Sequence, residues 1–157
     1  LVVLLEIADL ATAALVHRVQ CAAYRQEADL LGVESLPALT RGVEDLQHLG
    51  ETFAGIYLQG DLAAACSFED VDPFEICSLV VHPSFQRRGL GAALLRWLLS
   101  QSSQRCVAVS TGARNVPALA LYAQFGFVEV RRSFFTDPPL EVVHLERPAS
   151  ESQLTPQ

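Results

Sequence analysis

The chain of 157 residues has no methionine, position 1 included, and no long apolar run. Stretches such as Leu1 to Leu5 and Ala92 to Leu95 fall far short of the roughly 20 residues that span a bilayer, so a membrane association is not expected. The four cysteines, Cys21, Cys66, Cys77 and Cys106, form no CxxC pair. Three of them sit in strand-like apolar runs, where cysteine behaves as a small hydrophobe, and a reducing cytoplasm is the simplest setting for them. His17, His48 and His144 stand at no ligand-like spacing with cysteine or carboxylate, so no metal is expected. No leader of charged, apolar and small residues opens the chain, and no secretion signal is expected. Positive charge is also scarce. With 11 Lys plus Arg against 18 Asp plus Glu the net charge is -7, which argues against nucleic acid as a partner because that affinity rests on clustered cations facing phosphates.

What the sequence does contain fills one domain, read here as residues 1–148, with 149–157 as a polar, flexible C-terminal tail. Leu1 to Ile7 reads as a strand, and Asp9 can cap a helix over Leu10 to Arg25. Ser35 before Leu36 and Pro37 opens a second helix that ends near Gly50. Phe53 to Leu58 and Leu62 to Phe68 read as two antiparallel strands around a glycine-containing turn, and Glu75 to Val81 completes a meander. A helix starts at Gly89 and carries Leu90, Leu94, Trp97 and Leu98 on one face, which places Trp97 in the core. Cys106 to Ser110 then returns as a strand parallel to its neighbour. Asn115 to Phe125 is a final helix closed by Gly126, and Phe127 to Phe134 with Leu140 to Glu146 are the closing strands. The order implies an α+β fold around a mixed sheet, neither doubly wound nor barrel-like.

The chemistry concentrates where the third meander strand meets the glycine loop, Val80-Val81-His82-Pro83-Ser84-Phe85-Gln86-Arg87-Arg88-Gly89-Leu90-Gly91-Ala92-Ala93. First-turn N–H groups of a helix lack internal partners, so a glycine loop that runs into a helix makes an anion site. Gly89 and Gly91 let a ligand approach the backbone, and Arg87 and Arg88 add charge beside the same amides. A Walker loop is excluded because no Lys-Ser or Lys-Thr follows Gly91, and the dinucleotide fingerprint lacks both its third small residue, at Leu94, and its acid about 20 residues on. His82, before Pro83 at a strand end, reads as a turn residue rather than a catalyst.

Gln86-x-x-Gly89-x-Gly91 after a strand ending Val-His-Pro resembles the acetyl-CoA loop of the GNAT superfamily of N-acetyltransferases. Downstream, Asn115-x-x-Ala118-x-x-x-Tyr122-x-x-Phe125-Gly126-Phe127 is similar to that superfamily's second motif. The resemblance implies a mixed, mostly antiparallel sheet of about seven strands flanked by about four helices. It implies acetyl-CoA as co-substrate, with the backbone of Leu79, Val80 and Val81 pairing with the pantetheine arm and a backbone N–H near Val80 polarising the thioester carbonyl. Gln86, Arg87, Arg88, Gly89, Leu90, Gly91 and Ala92 would surround the pyrophosphate. Asn115 would bind the same molecule or cap its helix. Tyr122 would be the general acid, since a phenol with a pKa of about 10 keeps its proton at neutral pH. Glu75 would take the proton from the amine, usually through water.

These readings imply direct attack by a primary amine in a ternary complex. A small-molecule acceptor is the first expectation, with a protein N-terminus or lysine as the alternative, and a non-catalytic acetyl-CoA-binding module as the reading from another class. Tyr24, Phe53, Phe134, Phe135 and Asp137 are candidate walls of the acceptor pocket, and the strand edge near Phe134 suits a homodimer. Tyr122→Phe is expected to keep acetyl-CoA affinity while turnover falls by about 100-fold or more. Calorimetric titration alongside a steady-state rate checks this, and an unchanged rate removes Tyr122 from the mechanism.

Overall fold

The structure, a computed structural model, describes residues 1–150. It opens with β1 (Val3–Leu5), which leads into helix α1 (Leu10–Leu31). Asp9 caps α1 through Oδ2, which accepts from the Thr12 N–H at 3.0 Å and the Thr12 hydroxyl at 2.8 Å. The helix runs two turns past the expected stop at Arg25, because Ala28 and Leu31 continue the buried stripe of Ala13, Val16 and Val19. It ends at Gly32, which takes the left-handed conformation with φ 74.

The second expected helix is broken in two. Pro37–Thr40 forms a single 3-10 turn, Arg41 returns to extended backbone, and α2 (Val43–Gln47) follows. The break has a local cause: the Asp45 carboxylate accepts from the Gly42 N–H at 2.7 Å and starts a new helix there. Ser35 caps nothing, its hydroxyl donating instead to the Leu36 carbonyl at 3.4 Å.

β2 (Thr52–Leu58), β3 (Asp61–Glu69) and β4 (Phe74–Val81) form the expected meander, with Gln59 and Gly60 both at positive φ in the two-residue turn. Helix α3 (Leu90–Gln101) crosses to β5 (Val107–Gly112), which lies parallel to β4. Helix α4 (Val116–Gln124), β6 (Val128–Thr136) and β7 (Pro139–Arg147) complete a seven-stranded sheet in the order β1-β2-β3-β4-β5-β7-β6. The sheet is antiparallel except at β4 and β5, as expected.

Each sheet face has its own core. On one, Leu94, Leu95 and Leu98 of α3 pack with Cys66, Phe74, Ile76 and Val107. Trp97 belongs to this side but is only half-buried, edge-on to Phe68 at 5.8 Å. On the other face, Val16 and Val19 of α1 pack with Leu46, Phe53, Ala65 and Val80. Phe53 is thus a core residue, 1 % exposed, and not a wall of an acceptor pocket. β6 is one of the two edge strands, β1 being the other, with Phe134 75 % and Phe135 53 % exposed. The expected tail at 149–157 lies mostly outside the described residues, of which the last, Ser150, donates its N–H to the Gln104 carbonyl at 2.9 Å.

Within the meander Gly55 has no room for a side chain, since an added Cβ would meet the Ala64 carbonyl oxygen at 2.8 Å and Leu62 Cδ1 at 2.9 Å. Backbone cannot yield there as a side-chain tip can. Gly55→Ala is expected to destabilise the fold by about 1–3 kcal/mol, read by urea denaturation; a variant as stable as the wild type would contradict the packing.

Candidate active site

β4 and β5 share a ladder of only two residue pairs, Phe74 with Val107 and Glu75 with Ala108. Beyond them the strands diverge: β5 turns to β7 for its partner, while the β5-facing edge of β4 from Ile76 to Val81 has no ladder. A bulge accompanies the divergence, for Ser67 pairs with Ser78 and Phe68 with Ile76, leaving Cys77 between them. The result is a wedge in the middle of the sheet, with open backbone donors and acceptors on one wall.

α3 begins at the mouth of this wedge. Its N-cap is Gly89, left-handed at φ 75, and no side chain caps the first turn, so the N–H groups of Leu90, Gly91 and Ala92 keep no helical partner. Gly91 lies close under α4, where an added Cβ would stand 3.4 Å from Leu121 Cδ2. Arg87 is held at φ 65, an uncommon setting for a residue with a side chain, of the kind that collects at ligand loops.

Wedge and loop open into one cleft of about 710 Å³, within the usual range for a small-molecule site. Of the residues singled out from the sequence, Leu79, Val80, Val81, Gln86, Arg87, Gly89, Leu90, Gly91, Ala92, Asn115 and Tyr122 line it. Arg88 does not; its guanidinium stacks on Phe85, 5.4 Å from the ring centre. Glu75 is also outside the lining. It sits at the closed end of the wedge, opposite Glu69 and Ala108, four residues or roughly 13 Å along β4 from Leu79. Burial first, then the charges of Glu69 and Glu146, raise its carboxyl above the ordinary range, with Arg131 opposing them.

Tyr122 projects from α4, its ring edge-on to Phe127 at 5.3 Å and its surface 5 % exposed. Among the described residues its hydroxyl makes no hydrogen bond, yet no buried polar side-chain atom is left unpaired, so the phenol oxygen opens to the cleft. Burial, with Tyr24 and Glu27 nearby, pushes the phenol pKa far up and keeps its proton in place. Asn115 is the helix cap: Oδ1 accepts from the Ala118 N–H at 3.3 Å. Its Nδ2 donates to Glu27 Oε1 at 3.0 Å. His82 caps the 3-10 turn of Pro83–Phe85 by accepting from the Ser84 N–H at 3.1 Å, a turn role as expected.

The sequence reading missed the contribution of α1. Ala23, Gln26, Glu27 and Leu30 form the wall facing α4 and the glycine loop. Gln26 and Gln86 exchange hydrogen bonds across the mouth, at 2.6 and 3.3 Å. Only an extended reading of α1, carried past Arg25 to Leu31, would have aligned these residues on one face.

The observed groups suit acetyl-CoA: an uncapped helix start beside Arg87 for the pyrophosphate, an unpaired strand edge for an extended amide-bearing arm, and a protonated phenol at the inner end. Comparison with known proteins agrees. The model of the acetyltransferase (GNAT) family matches residues 16–127. The chain is 39 % identical over 111 residues to the Bacillus subtilis protein YqkA, a match covering 69 % of this chain but only 32 % of that protein's length. It is 33 % identical over 111 residues to the Escherichia coli ribosomal protein bS18-alanine N-acetyltransferase, covering 64 % of this chain and 75 % of the relative. The crystal structure of the Escherichia coli S18-alanine N-acetyltransferase superposes with TM-score 0.74 at 21 % identity, over 96 % of this chain and 94 % of that one. A Salmonella typhimurium protein, yncA, crystallised with acetyl-CoA, superposes with TM-score 0.67 at 19 % identity, over 93 % and 91 % of the two chains. These structural likenesses speak for the fold, and the family match over most of the length decides the rest: the chain belongs to the acetyltransferase (GNAT) family.

Proposed function

We propose that this protein transfers an acetyl group from acetyl-CoA to a primary amine by direct attack in a ternary complex. The observation that carries the reading is the shared cleft: the open β4 edge, the uncapped start of α3 and the Tyr122 phenol all line it. Acetyl-CoA, when bound, supplies an activated acetyl group as a thioester. The chain supplies placement and proton handling. Backbone groups of Leu79, Val80 and Val81 would offer an extended partner the hydrogen bonds that β5 leaves unmade, and an N–H near Val80 would polarise the thioester carbonyl. The N–H groups of Leu90, Gly91 and Ala92, with Arg87, attract phosphate, while Arg88 adds charge from behind Phe85. Tyr122 holds the proton that the departing sulfur needs.

For the acceptor, a peptide's N-terminal amine ranks first, because relatives at 33 % identity are named for acetylating an alanine of a ribosomal protein. The second reading is the small amine expected from the sequence. Glu51, Glu69 and Cys77 bring their side-chain atoms within 4.8 Å of one another, but none of the three lines the cleft, so this acidic cluster does not select its acceptor. Phe134 and Phe135 stand exposed on the edge strand and wall no part of the cleft.

A free-thiol release assay with acetyl-CoA separates these readings. Acceptors are peptides beginning with alanine, the same peptides blocked at the N-terminus, and a series of polyamines and amino acids. Release with the free peptides and none with the blocked ones is the expected result. Release with polyamines alone would move the acceptor to the second reading, and acetyl-CoA binding without thiol release for any amine would overturn the transferase.

A further inference from the structure

We infer that Glu27 is the group that takes the proton from the acceptor amine, a step that rests on the transferase reading above. Glu27 is the one carboxylate lining the cleft among the described residues, and Tyr122 lines the same cleft from α4. Its Oε1 is occupied by Asn115 Nδ2 at 3.0 Å, a contact that fixes the carboxyl against the N-terminus of α4. The other oxygen has no partner among the described side chains, and no arginine forms an ion pair with this carboxylate. The titratable groups around it are Tyr24 on its own helix, Tyr122 on α4 and Arg87 on the glycine loop. Arg114 borders the helix end, its guanidinium nitrogen standing near Gly32.

Burial raises the Glu27 carboxyl above its ordinary value, and the Asn115 hydrogen bond pulls the other way. The shift brings a carboxylate closer to the pH at which a base both exists ionised and accepts a proton readily. Tyr122, moved up by burial and by Tyr24 and Glu27, keeps its proton until the departing sulfur takes it. A phenol that keeps its proton and a carboxylate that can take one, lining one cleft, is the arrangement that acyl transfer to an amine requires.

The protons balance. An acceptor arriving as an ammonium loses one proton to the free oxygen of Glu27, and Glu27 later passes it to solvent. The amine nitrogen then forms its bond to the acetyl carbon as the carbon–sulfur bond breaks. Sulfur takes the Tyr122 phenol proton. The second proton shed by the nitrogen, as it becomes an amide, restores the phenol. Glu75, roughly 13 Å down the strand from the cleft wall, has no direct part in this exchange.

The test is Glu27→Gln, which preserves the oxygen that accepts from Asn115 Nδ2 and removes only the ionisable group. With a peptide carrying N-terminal alanine, kcat/KM is measured from about pH 6 to 9, and acetyl-CoA affinity by calorimetry. The expected result is a loss of about 100-fold or more in kcat/KM at neutral pH, a fall in rate toward acid that moves up to the ionisation of the peptide amine itself at about pH 8, and an acetyl-CoA Kd within about twofold of wild type. Stability gives an independent check. A carboxyl whose pKa is raised in the fold stabilises most when protonated, and that contribution is lost as pH rises through its folded value, so the variant should melt no lower than wild type at neutral pH. A wild-type rate with an unchanged pH profile would overturn the role. So would an acetyl-CoA affinity that falls in step with the rate, since that would make Glu27 a support for Asn115. Wild-type protein that acetylates no amine at any pH would instead sink the transferase reading, and this role with it.

Discussion

The whole site depends on two parallel strands that part after two residue pairs. Had β4 and β5 stayed in register to their ends, Leu79 to Val81 would be sealed in a ladder and the sheet would have no interior edge. The strands can separate because each finds other compensation: β5 pairs with β7 along its full length, and β4 keeps β3. Helices α3 and α4 then cover the opening from one side and α1 from the other, which turns a defect in pairing into a cleft. An unpaired strand edge inside a domain would be costly without a partner of its own shape, so the wedge and an amide-bearing guest explain each other.

The rest of the chemistry is placed by helix ends. The start of α3 faces the cleft because the chain, after β4 and the Pro83–Phe85 turn, bends through Arg87 and Gly89 at positive φ. The start of α4 is fixed twice over, by the Asn115 cap on Ala118 and by Asn115 to Glu27 of α1. That second bond links the helix carrying Tyr122 to the helix that walls the cleft opposite it. One short side chain therefore ties together the helices that carry the two groups proposed to handle protons.

Much of this was legible in the sequence, and the failures share a cause. Strand alternation, the Gln59-Gly60 turn, the Asp9 cap and the Gly126 stop are local signals, and each element they mark is found within a few residues of its expected place. The glycine loop and the Tyr122 motif were readable because their chemistry lies in consecutive or helically spaced residues. What was not readable depends on pairs distant in sequence. Glu27 and Asn115 are 88 residues apart, and nothing near either one announces the other. Glu75 looked well placed on β4 because a strand reading cannot show where the neighbouring strand departs. Arg88 adjoins Arg87 in sequence, but the positive φ at Arg87 redirects the chain and leaves Arg88 on Phe85.

The central claim is that the β4 edge and the first turn of α3 together receive one extended, phosphate-bearing molecule. Amide hydrogen exchange resolved by residue, with and without saturating acetyl-CoA, tests it most directly. The account predicts slowed exchange at the backbone amides of the Leu79 to Val81 segment and of Leu90 to Ala92, with the β6 edge unchanged. Acetyl-CoA binding that leaves both segments exchanging as before would contradict it.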